Sequence, residues 1–232
     1  EGTGIDMYTM GYTPMIMAAL HDNYKLLEQL TREGANPNGS TLSGFTALMC
    51  ACRKGHVESV STLIRLGASV NSKEKTGFTA LAHAAKNGKA EAVLKLLEAG
   101  AEKSSRLETN GETPLLLACR WGRVNAVRLL LNAGASPDVR NKRGQGVFHL
   151  ACENGHAQVV ALLRSQKCDA SVQDCRGYTP LMIASERGNV SILDHLLRCK
   201  TGYKSRNVVS DKGSTALHLA SRMGHTDAVK TL

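Results

Sequence analysis

The sequence predicts an all-α repeat solenoid of stacked helix–turn–helix units, whose connecting segments turn back as β-hairpin-like fingers. Three observations predict this fold. An eight-residue phrase recurs seven times along the 232 residues at an almost constant spacing. Aromatic residues are few, with 3 Phe, 5 Tyr and 1 Trp, whereas one large globular core usually contains more of them. Residues that begin and end helices also recur at fixed places in each copy.

The repeated phrase sets the organisation of the chain. Its copies are separated by 33, 33, 34, 33, 33 and 36 residues. The fourth copy reads Gly-Glu-Thr-Pro-Leu-Leu-Leu-Ala and the sixth reads Gly-Tyr-Thr-Pro-Leu-Met-Ile-Ala. A single repeat domain is therefore expected over residues 1–232, with its last repeat truncated inside the second helix. The phrases begin at Gly11, Gly44, Gly77, Gly111, Gly144, Gly177 and Gly213, which we call the finger glycines.

Each phrase predicts the start of a first helix. A threonine two residues after the finger glycine can N-cap the helix through its hydroxyl, and proline often follows at the first helical position. The threonines are Thr13, Thr46, Thr79, Thr113, Thr179 and Thr215, and the prolines are Pro14, Pro114 and Pro180.

Further glycines predict where the two helices of each repeat end. Glycine can take the left-handed conformation that closes a helix. The first helices are expected to end at Gly55, Gly88, Gly122, Gly155, Gly188 and Gly224, and the second at Gly34, Gly67, Gly100 and Gly134. The polar segments that follow, such as 68–76, are predicted to form the fingers. No unit can bury its apolar face alone, so the repeats must stack.

The phrase and its period resemble the ankyrin repeat, in which Thr-Pro-Leu-His-x-Ala recurs every 33 residues. The resemblance spans nearly the whole chain. It implies a concave face, lined by the fingers and the first helices, on which the partners of this family usually bind. The function it implies is that of a non-enzymatic protein-binding module or scaffold.

Several repeats depart from the pattern. Gly146 and Val147 replace Thr-Pro in repeat five, which predicts a poorer N-cap. Lys167 and Lys200 replace the glycine that ends the second helix, and Asp22 replaces the one that ends the first helix of repeat one. The last spacing of 36 adds three residues before the seventh phrase. These departures fit either drift in a tolerant architecture or a distorted binding region in repeats five to seven.

The cysteines and histidines are predicted to be structural. Cys52, Cys119 and Cys152 occupy a slot that Ala19 and Ala85 fill elsewhere, where helices approach closely. The sequence has no Gly-Lys-[Ser/Thr] loop, no paired-histidine zinc motif and no nucleophile elbow. We therefore expect no enzyme activity, catalytic residue, metal site or cofactor. The histidines that recur with the period are His56, His149, His156, His218 and His225.

Cysteine usage predicts the compartment. Seven cysteines form an odd set without a regular framework, which favours free thiols and a reducing, intracellular location in the cytoplasm, the nucleus or both. The longest apolar run, Pro14 to Leu20, has seven residues and is too short to cross a bilayer.

The net charge of +9 is unevenly spread along the chain. Residues 1–116 carry 12 Lys+Arg and 12 Asp+Glu, whereas residues 117–232 carry 17 and 8. Arginine supplies 11 of those 17 cations. This asymmetry indicates an acidic partner for the second half.

The resemblance also implies which residues face a partner. They are those directly after each finger glycine and those before each first-helix terminator, joined by finger cations. Aromatic side chains and arginines are typical interface anchors, and arginine can hold a carboxylate or phosphate with two hydrogen bonds. We therefore expect an acidic or phosphorylated peptide or protein segment in the concave groove. The predicted contacts are Tyr12, Phe45, Arg53, Lys54, Phe78, Lys86, Arg120, Trp121, Arg143, Arg176, Tyr178, Arg187 and Arg222, with Lys142 and Lys212 beside them.

Three other interpretations stay open at this point. The aromatics can pack on neighbouring fingers, and the cations can form an ordinary solvated face. The Arg-rich half can bind nucleic acid or anionic lipid, although no standard nucleic-acid motif supports this. The chain can also be a targeting or regulatory part of a larger enzyme, channel or ubiquitin ligase.

Overall fold

A computed structural model describes residues 11–232. The chain forms two compact units, which we call unit 1 and unit 2 and which are separated between Thr109 and Asn110. Each unit consists of helix pairs joined by fingers, so the predicted all-α repeat fold is confirmed. That all 232 residues act as one domain stays a prediction.

Over its described residues, 11–109, unit 1 contains three helix pairs. First helices pack on first helices and second helices on second helices, which buries the apolar stripe of each. The pairs are α1 (Pro14–Leu20) and α2 (Tyr24–Arg32), α3 (Ala47–Lys54) and α4 (Val57–Arg65), and α5 (Ala80–Asn87) and α6 (Ala90–Glu98).

Unit 2 contains four helix pairs packed in the same way, with two short helices inserted before the last pair. The pairs are α7 (Pro114–Arg120) and α8 (Val124–Asn132), α9 (Val147–Glu153) and α10 (Ala157–Ser165), α11 (Pro180–Glu186) and α12 (Val190–Leu197), and α14 (Ala216–Arg222) and α15 (Thr226–Thr231). The insertion is α13 (Lys200–Lys204) and a 3-10 helix (Ser205–Asn207).

The predicted N-caps are confirmed. All six threonine hydroxyls accept a hydrogen bond from the backbone N–H three residues later, at 3.2–3.4 Å. Repeat five keeps its helix without this cap, because the N–H of Gly146 donates to Nδ1 of His149 at 3.2 Å.

The helices end where the glycines predict. Three ends lack the glycine, namely those at Asp22, Lys167 and Lys200. Every predicted terminating glycine has a positive φ. Asp22 and Lys167 adopt the same left-handed conformation, with φ of 54° and 56°. Lys200 instead begins α13, so the extra residues of repeat six become helical rather than looping out. Gly202 in α13 is required by a close approach, since a Cβ there would lie 2.3 Å from the carbonyl oxygen of Leu196.

The fingers are tight turns tied to their neighbours within each unit. In unit 1 the N–H of Lys75 donates to the carbonyl of Ser43 at 2.8 Å, and in unit 2 the N–H of Cys175 donates to the carbonyl of Arg143 at 3.0 Å. An isolated antiparallel bridge joins Ser40 and Thr46. Backbone hydrogen bonds therefore fix the spacing of adjacent fingers.

The cysteine slot is buried as expected, and burial raises the pKa of the Cys52, Cys119 and Cys152 thiols well above its usual value. The repeated histidines link neighbouring repeats. Nε2 of His149 lies 2.9 Å from the carbonyl oxygen of Tyr178 in the next finger. Nε2 of His56, His156 and His225 lies 3.2, 2.9 and 3.1 Å from the carbonyl oxygens of Leu20, Arg120 and Glu186 respectively.

Over residues 11–232, no helix has both the length and the apolar character that a membrane span requires.

Candidate partner-binding surfaces

One side-chain pair recurs from repeat two to repeat five. The residue after the finger glycine contacts the residue eight positions later, at the end of the first helix. The first side chain lies just before the N-cap, and the second leans back along the helix towards its N-terminus, so the two meet. The pairs are Phe45 with Arg53, Phe78 with Lys86, Glu112 with Arg120, and Gln145 with Glu153.

In unit 1 both pairs are cation–π contacts. The guanidinium carbon of Arg53 lies 4.8 Å from the ring centroid of Phe45, and Nζ of Lys86 lies 5.3 Å from that of Phe78. The ring of His83 lies between the two phenyl rings, 5.5 Å from Phe45 edge-on and 4.8 Å from Phe78 in a stack. We call these five side chains the aromatic–cation surface.

His83 is the buried centre of this surface, with 8% of its area exposed. Burial, with the charges of Arg53 and Lys86, lowers the pKa of His83 to about 4. Its Nε2 lies 3.6 Å from Oε1 of Glu74, which is too long for a hydrogen bond, and it has no other partner within the described part of the chain. The imidazole is therefore neutral at neutral pH.

An open groove of about 450 Å³ adjoins the aromatic–cation surface. Leu42 projects from a fingertip beside it with 91% of its area exposed, an unusual position for a large apolar side chain. Tyr12 contributes an aromatic wall and Arg53 a cationic one. The groove is lined by Gly11, Tyr12, Thr41, Leu42, Ser43, Phe45, Arg53 and Glu74.

Arg53 lines this groove without an acidic partner among the described residues. Within residues 11–232, no carboxylate oxygen lies within 4.0 Å of its guanidinium. Lys54 is exposed directly beside it, and both cations occupy the last turn of α3. The ring of Phe45 is 6% exposed and supports Arg53 from below rather than offering an open face.

In unit 2 the same positions form an internal polar network. The carboxylate of Glu112 is buried and accepts hydrogen bonds from Nε of Arg120 at 2.9 and 3.2 Å, with a further bond from Nη2. Nδ2 of Asn141 lies 3.4 Å from Glu112 Oε1 and 3.1 Å from Oε1 of Gln145. Gln145 donates to Glu153 at 3.1 Å. The charge of Arg120 is thus taken up inside the protein.

Two further predicted cations of unit 2 have internal carboxylate partners. Arg176 lies 3.3 Å from Oδ2 of Asp174 and 4.4 Å above the ring of Tyr178. Arg222 lies 3.3 Å from Oε1 of Glu186. Most of the arginine side chains that the sequence places before a first-helix terminator or on a finger are therefore engaged within unit 2.

The remaining predicted contacts lie at varied depths, and a role in binding stays a prediction for all of them. Trp121 is 45% exposed. Sequence reasoning missed Leu42, His83 and Glu74; the lone apolar residue in the polar finger segment 40–43 was the available signal for Leu42. Tyr12, Phe78, Lys86 and Tyr178 are half-buried, whereas Arg143 and Arg187 are exposed. Over the described residues, no group of three or more His, Cys, Asp or Glu side chains is arranged to hold a metal ion.

Comparisons with known proteins agree on one family. A family model described as "Ankyrin repeats (3 copies)" matches residues 2–74, 66–141 and 148–232. The crystal structure of the human ASB11 ankyrin repeat domain is 25% identical in sequence, with a TM-score of 0.85. That alignment covers 95% of this chain and 98% of the other. A search of curated proteins finds no match.

Proposed function

Because the chain belongs to the ankyrin repeat family, we propose that it is a non-enzymatic binding module whose unit 1 holds an acidic or phosphorylated protein segment. Ankyrin repeats are generally protein–protein interaction modules, and their fold is typically non-catalytic. The finer assignment of the ligand depends on the aromatic–cation surface and the adjoining groove.

The proposal depends mainly on the surroundings of Arg53, which contacts an aromatic ring and has no carboxylate partner among the described residues. A cation–π contact uses the flat face of the guanidinium, so its N–H edge is left for a ligand. That planar edge can donate two parallel hydrogen bonds to a carboxylate or a phosphate. With no carboxylate of residues 11–232 within 4.0 Å and with Lys54 beside it, Arg53 supports recognition of one negative group.

The groove supports an apolar side chain next to that negative group. Leu42 and Tyr12 supply apolar and aromatic walls within the same groove as Arg53. An exposed leucine loses its contact with water when a ligand side chain covers it, which favours binding by about 1.5–3 kcal/mol for a fully buried leucine. We therefore expect an extended segment with an acidic or phosphorylated residue beside a large apolar residue.

The experiment is a selection of peptides from a random library on the purified full chain, followed by affinity measurement by fluorescence anisotropy. The test variant is Arg53→Ala/Lys54→Ala. The control is Arg32→Ala/Lys95→Ala, which removes the same charge from the second helices α2 and α6. Selected peptides should share the acidic–apolar pair and should bind the test variant at least about tenfold more weakly, since charged hydrogen bonds contribute about 1.5–3 kcal/mol.

Equal binding to the test variant and the wild type would overturn the assignment to Arg53. A selection without acidic or phosphate-mimicking residues would overturn the proposed partner chemistry. Loss of binding in the control as large as in the test variant would indicate a general charge effect.

We also propose an intracellular, reducing location, in the cytoplasm, the nucleus or both. Six of the seven cysteines are buried free thiols, which such a compartment keeps reduced. Imaging of the tagged full-length protein in cells tests this, and a secreted product would contradict it. That the chain is a targeting or regulatory part of a larger protein stays a prediction.

A further inference from the structure

From Gly44 onwards, the residue directly before each finger glycine occupies one equivalent position at the tip of its finger. In unit 1 this position holds uncharged residues, Ser43 and Thr76. In unit 2 it changes from Asn110 to three consecutive cations, Arg143, Arg176 and Lys212. We call these three cations the fingertip row.

The tips of the fingertip row share one backbone geometry. Oδ1 of Asn141 accepts hydrogen bonds from the N–H groups of Arg143 and Gln145, both at 2.9 Å. Oδ1 of Asp174 accepts from Arg176 at 2.8 Å and from Tyr178 at 2.9 Å. The turn of the last finger closes through the N–H of Gly213 and the carbonyl of Ser210 at 2.8 Å, as the others do at 3.0 Å. Each cation is therefore presented by an equivalent turn.

Backbone hydrogen bonds also tie these tips to one another. The N–H of Cys175 donates to the carbonyl of Arg143 at 3.0 Å, and the N–H of Asp211 donates to the carbonyl of Arg176 at 3.2 Å. The backbone of these turns is therefore ordered before a ligand binds. Because the backbone of each turn is already bonded, less backbone order has to be imposed on binding than for cations on a flexible loop.

The fingertip row carries part of the excess positive charge of unit 2. Arg120 and Arg222 are paired with Glu112 and Glu186, so they do not contribute an open anion site. Arg143 and Lys212, by contrast, are exposed, and no carboxylate within residues 11–232 lies within 4.0 Å of either side chain.

Two carboxylates reduce the positive charge of the row but do not neutralise it. Arg176 keeps 53% of its side chain exposed although Asp174 lies 3.3 Å away. Asp211 is the exposed acid beside the row, and its backbone is bonded to Arg176. The three cations of the row thus face solvent, with the exposed Lys142 beside Arg143 and one exposed acid, Asp211, near them.

We propose that the fingertip row binds an extended acidic protein segment that places about one carboxylate against each finger. Packed helix layers lie about 8–10 Å apart. An extended chain in the polyproline II conformation has three residues per turn and advances about 3.1 Å per residue, so every third side chain lies on one face, about 9 Å from the next. Acidic side chains at every third residue therefore match the row. This site is separate from Arg53 and goes beyond the proposed function of unit 1.

An acidic protein segment fits the row better than a single-stranded nucleic acid. Proteins that bind single strands combine their cations with aromatic faces on which the bases stack. The aromatic side chain of these tips, Tyr178, is half-buried and its face is covered by Arg176 at 4.4 Å. The row thus offers charge without a stacking platform.

The test compares two labelled peptides of equal length and equal glutamate content with the full chain. One carries glutamate at every third position and the other carries all its glutamates in one block; a single-stranded oligonucleotide is the third probe. The test variant is Arg143→Ser/Lys212→Ser, which installs the residue type that the finger of repeat two already carries. The control Arg128→Ser/Arg198→Ser removes equal charge from exposed sites at the second helices α8 and α12.

Anisotropy at low and near-physiological ionic strength should give tighter binding of the spaced peptide than of the block peptide. The test variant should lose about three- to tenfold in affinity for the spaced peptide, as expected for two exposed ion pairs. The control and Arg53→Ala should each change it less than about twofold, which separates this row from the surface of unit 1. Circular dichroism should show unchanged helix content in every variant.

Equal affinity for the two peptides, or an equal loss in the control variant, would overturn the proposed spacing and leave only a general electrostatic surface. Tighter binding of the oligonucleotide than of the spaced peptide, lost in the test variant, would overturn the choice of a protein partner.

Discussion

The two units use the same pair of positions for opposite purposes. In unit 1, Arg53 lies over the ring of Phe45, and no carboxylate oxygen within residues 11–232 lies within 4.0 Å of its guanidinium. In unit 2, Glu112 takes both the charge and the hydrogen bonds of Arg120 into a buried network. We therefore place the proposed anion site in the unit with almost no net charge, whereas the basic unit pairs its cation at this position internally.

This difference shows that the number of cations in a segment does not predict which of them lack an internal carboxylate partner. A cation over an aromatic ring can still donate hydrogen bonds to a ligand, whereas the donors of a cation beside a buried carboxylate are already bonded to it. Part of the excess charge of unit 2 lies at the fingertip row, where the carboxylates are fewer than the cations.

The largest effect on stability is expected for Arg120→Ala, and it tests the difference between the two pairs directly. The substitution leaves the buried carboxylate of Glu112 without its cation, which typically costs about 3–5 kcal/mol of stability. Arg53→Ala removes a half-exposed cation–π contact and should cost about 0.5–1 kcal/mol. Urea unfolding of both variants measures the difference.

The double variant Glu112→Gln/Arg120→Ala is the control for this prediction. It removes the stranded charge and should regain part of the lost stability. Equal costs for Arg120→Ala and Arg53→Ala would contradict the distinction between the two pairs.

The second prediction concerns the stability of the protein at low pH, because His83 is neutral and buried in the aromatic–cation surface. Its pKa is about 4 in the folded protein against an ordinary value of 6.5, so the unfolded chain binds the proton more tightly. The free energy of unfolding should therefore fall as the pH drops from about 6.5 towards 4, by about 2 kcal/mol at pH 5 from this group.

His83→Leu should remove that part of the acid sensitivity, since leucine occupies the equivalent position in repeats four, five and seven. Burial also lowers the pKa of His149, so a smaller slope should remain. His21→Leu, at an exposed histidine, is the matched control. An unchanged pH dependence in His83→Leu would contradict a neutral, buried imidazole.

A third prediction compares two helix ends with the same left-handed backbone. Lys167→Gly should stabilise unit 2 by about 1 kcal/mol, because a lysine with φ of 56° is strained and glycine is not. Asp22→Gly should destabilise unit 1 instead, because the Asp22 carboxylate accepts hydrogen bonds from the N–H and hydroxyl of Ser59 at 3.3 and 2.6 Å. Thermal unfolding measures the change in stability of both variants. A loss of stability in Lys167→Gly would contradict the prediction and would mean that the lysine makes a stabilising contact.

The smallest effect is expected for Gly146→Thr, which restores the missing cap of repeat five. A Cβ there would lie 3.6 Å from the carbonyl oxygen of Val139, an ordinary contact. Thr215 shows that a capping threonine and His218 coexist in this arrangement, with Oγ1 2.8 Å from Nδ1. The gain should be a few tenths of a kcal/mol, and slower amide exchange in α9 measures it. Faster exchange there would mean that threonine displaces the bond of His149.

The sequence predicted those parts of the fold that depend on local chemistry. Threonine caps and terminating glycines act within one or two turns, so their positions could be read from Thr46 and Gly55 without knowing the neighbours. The departures at Asp22 and Lys167 were visible too, although the sequence could not show that both keep the backbone of the glycine they replace.

The candidate sites were harder to predict because they depend on which side chains meet. Arg120 and Arg53 both precede a first-helix end, and only the residue eight positions earlier distinguishes a cation paired with a buried carboxylate from one that lies over a ring. Glu112 in a position that is aromatic elsewhere was the signal for this difference. The setting of His83 could not be read from one repeat, since its two phenyl neighbours come from successive fingers.

The most direct test of the central difference follows the arginine Nε–Hε signals by NMR during titration with a peptide that carries one phosphoserine beside a leucine. The full chain is labelled with nitrogen-15, and single Arg53→Lys and Arg120→Lys variants assign the two signals. The Arg53 signal should move progressively while the Arg120 signal stays in place, because Glu112 already holds that group. Movement of Arg120 with a stationary Arg53 would contradict the account of both units.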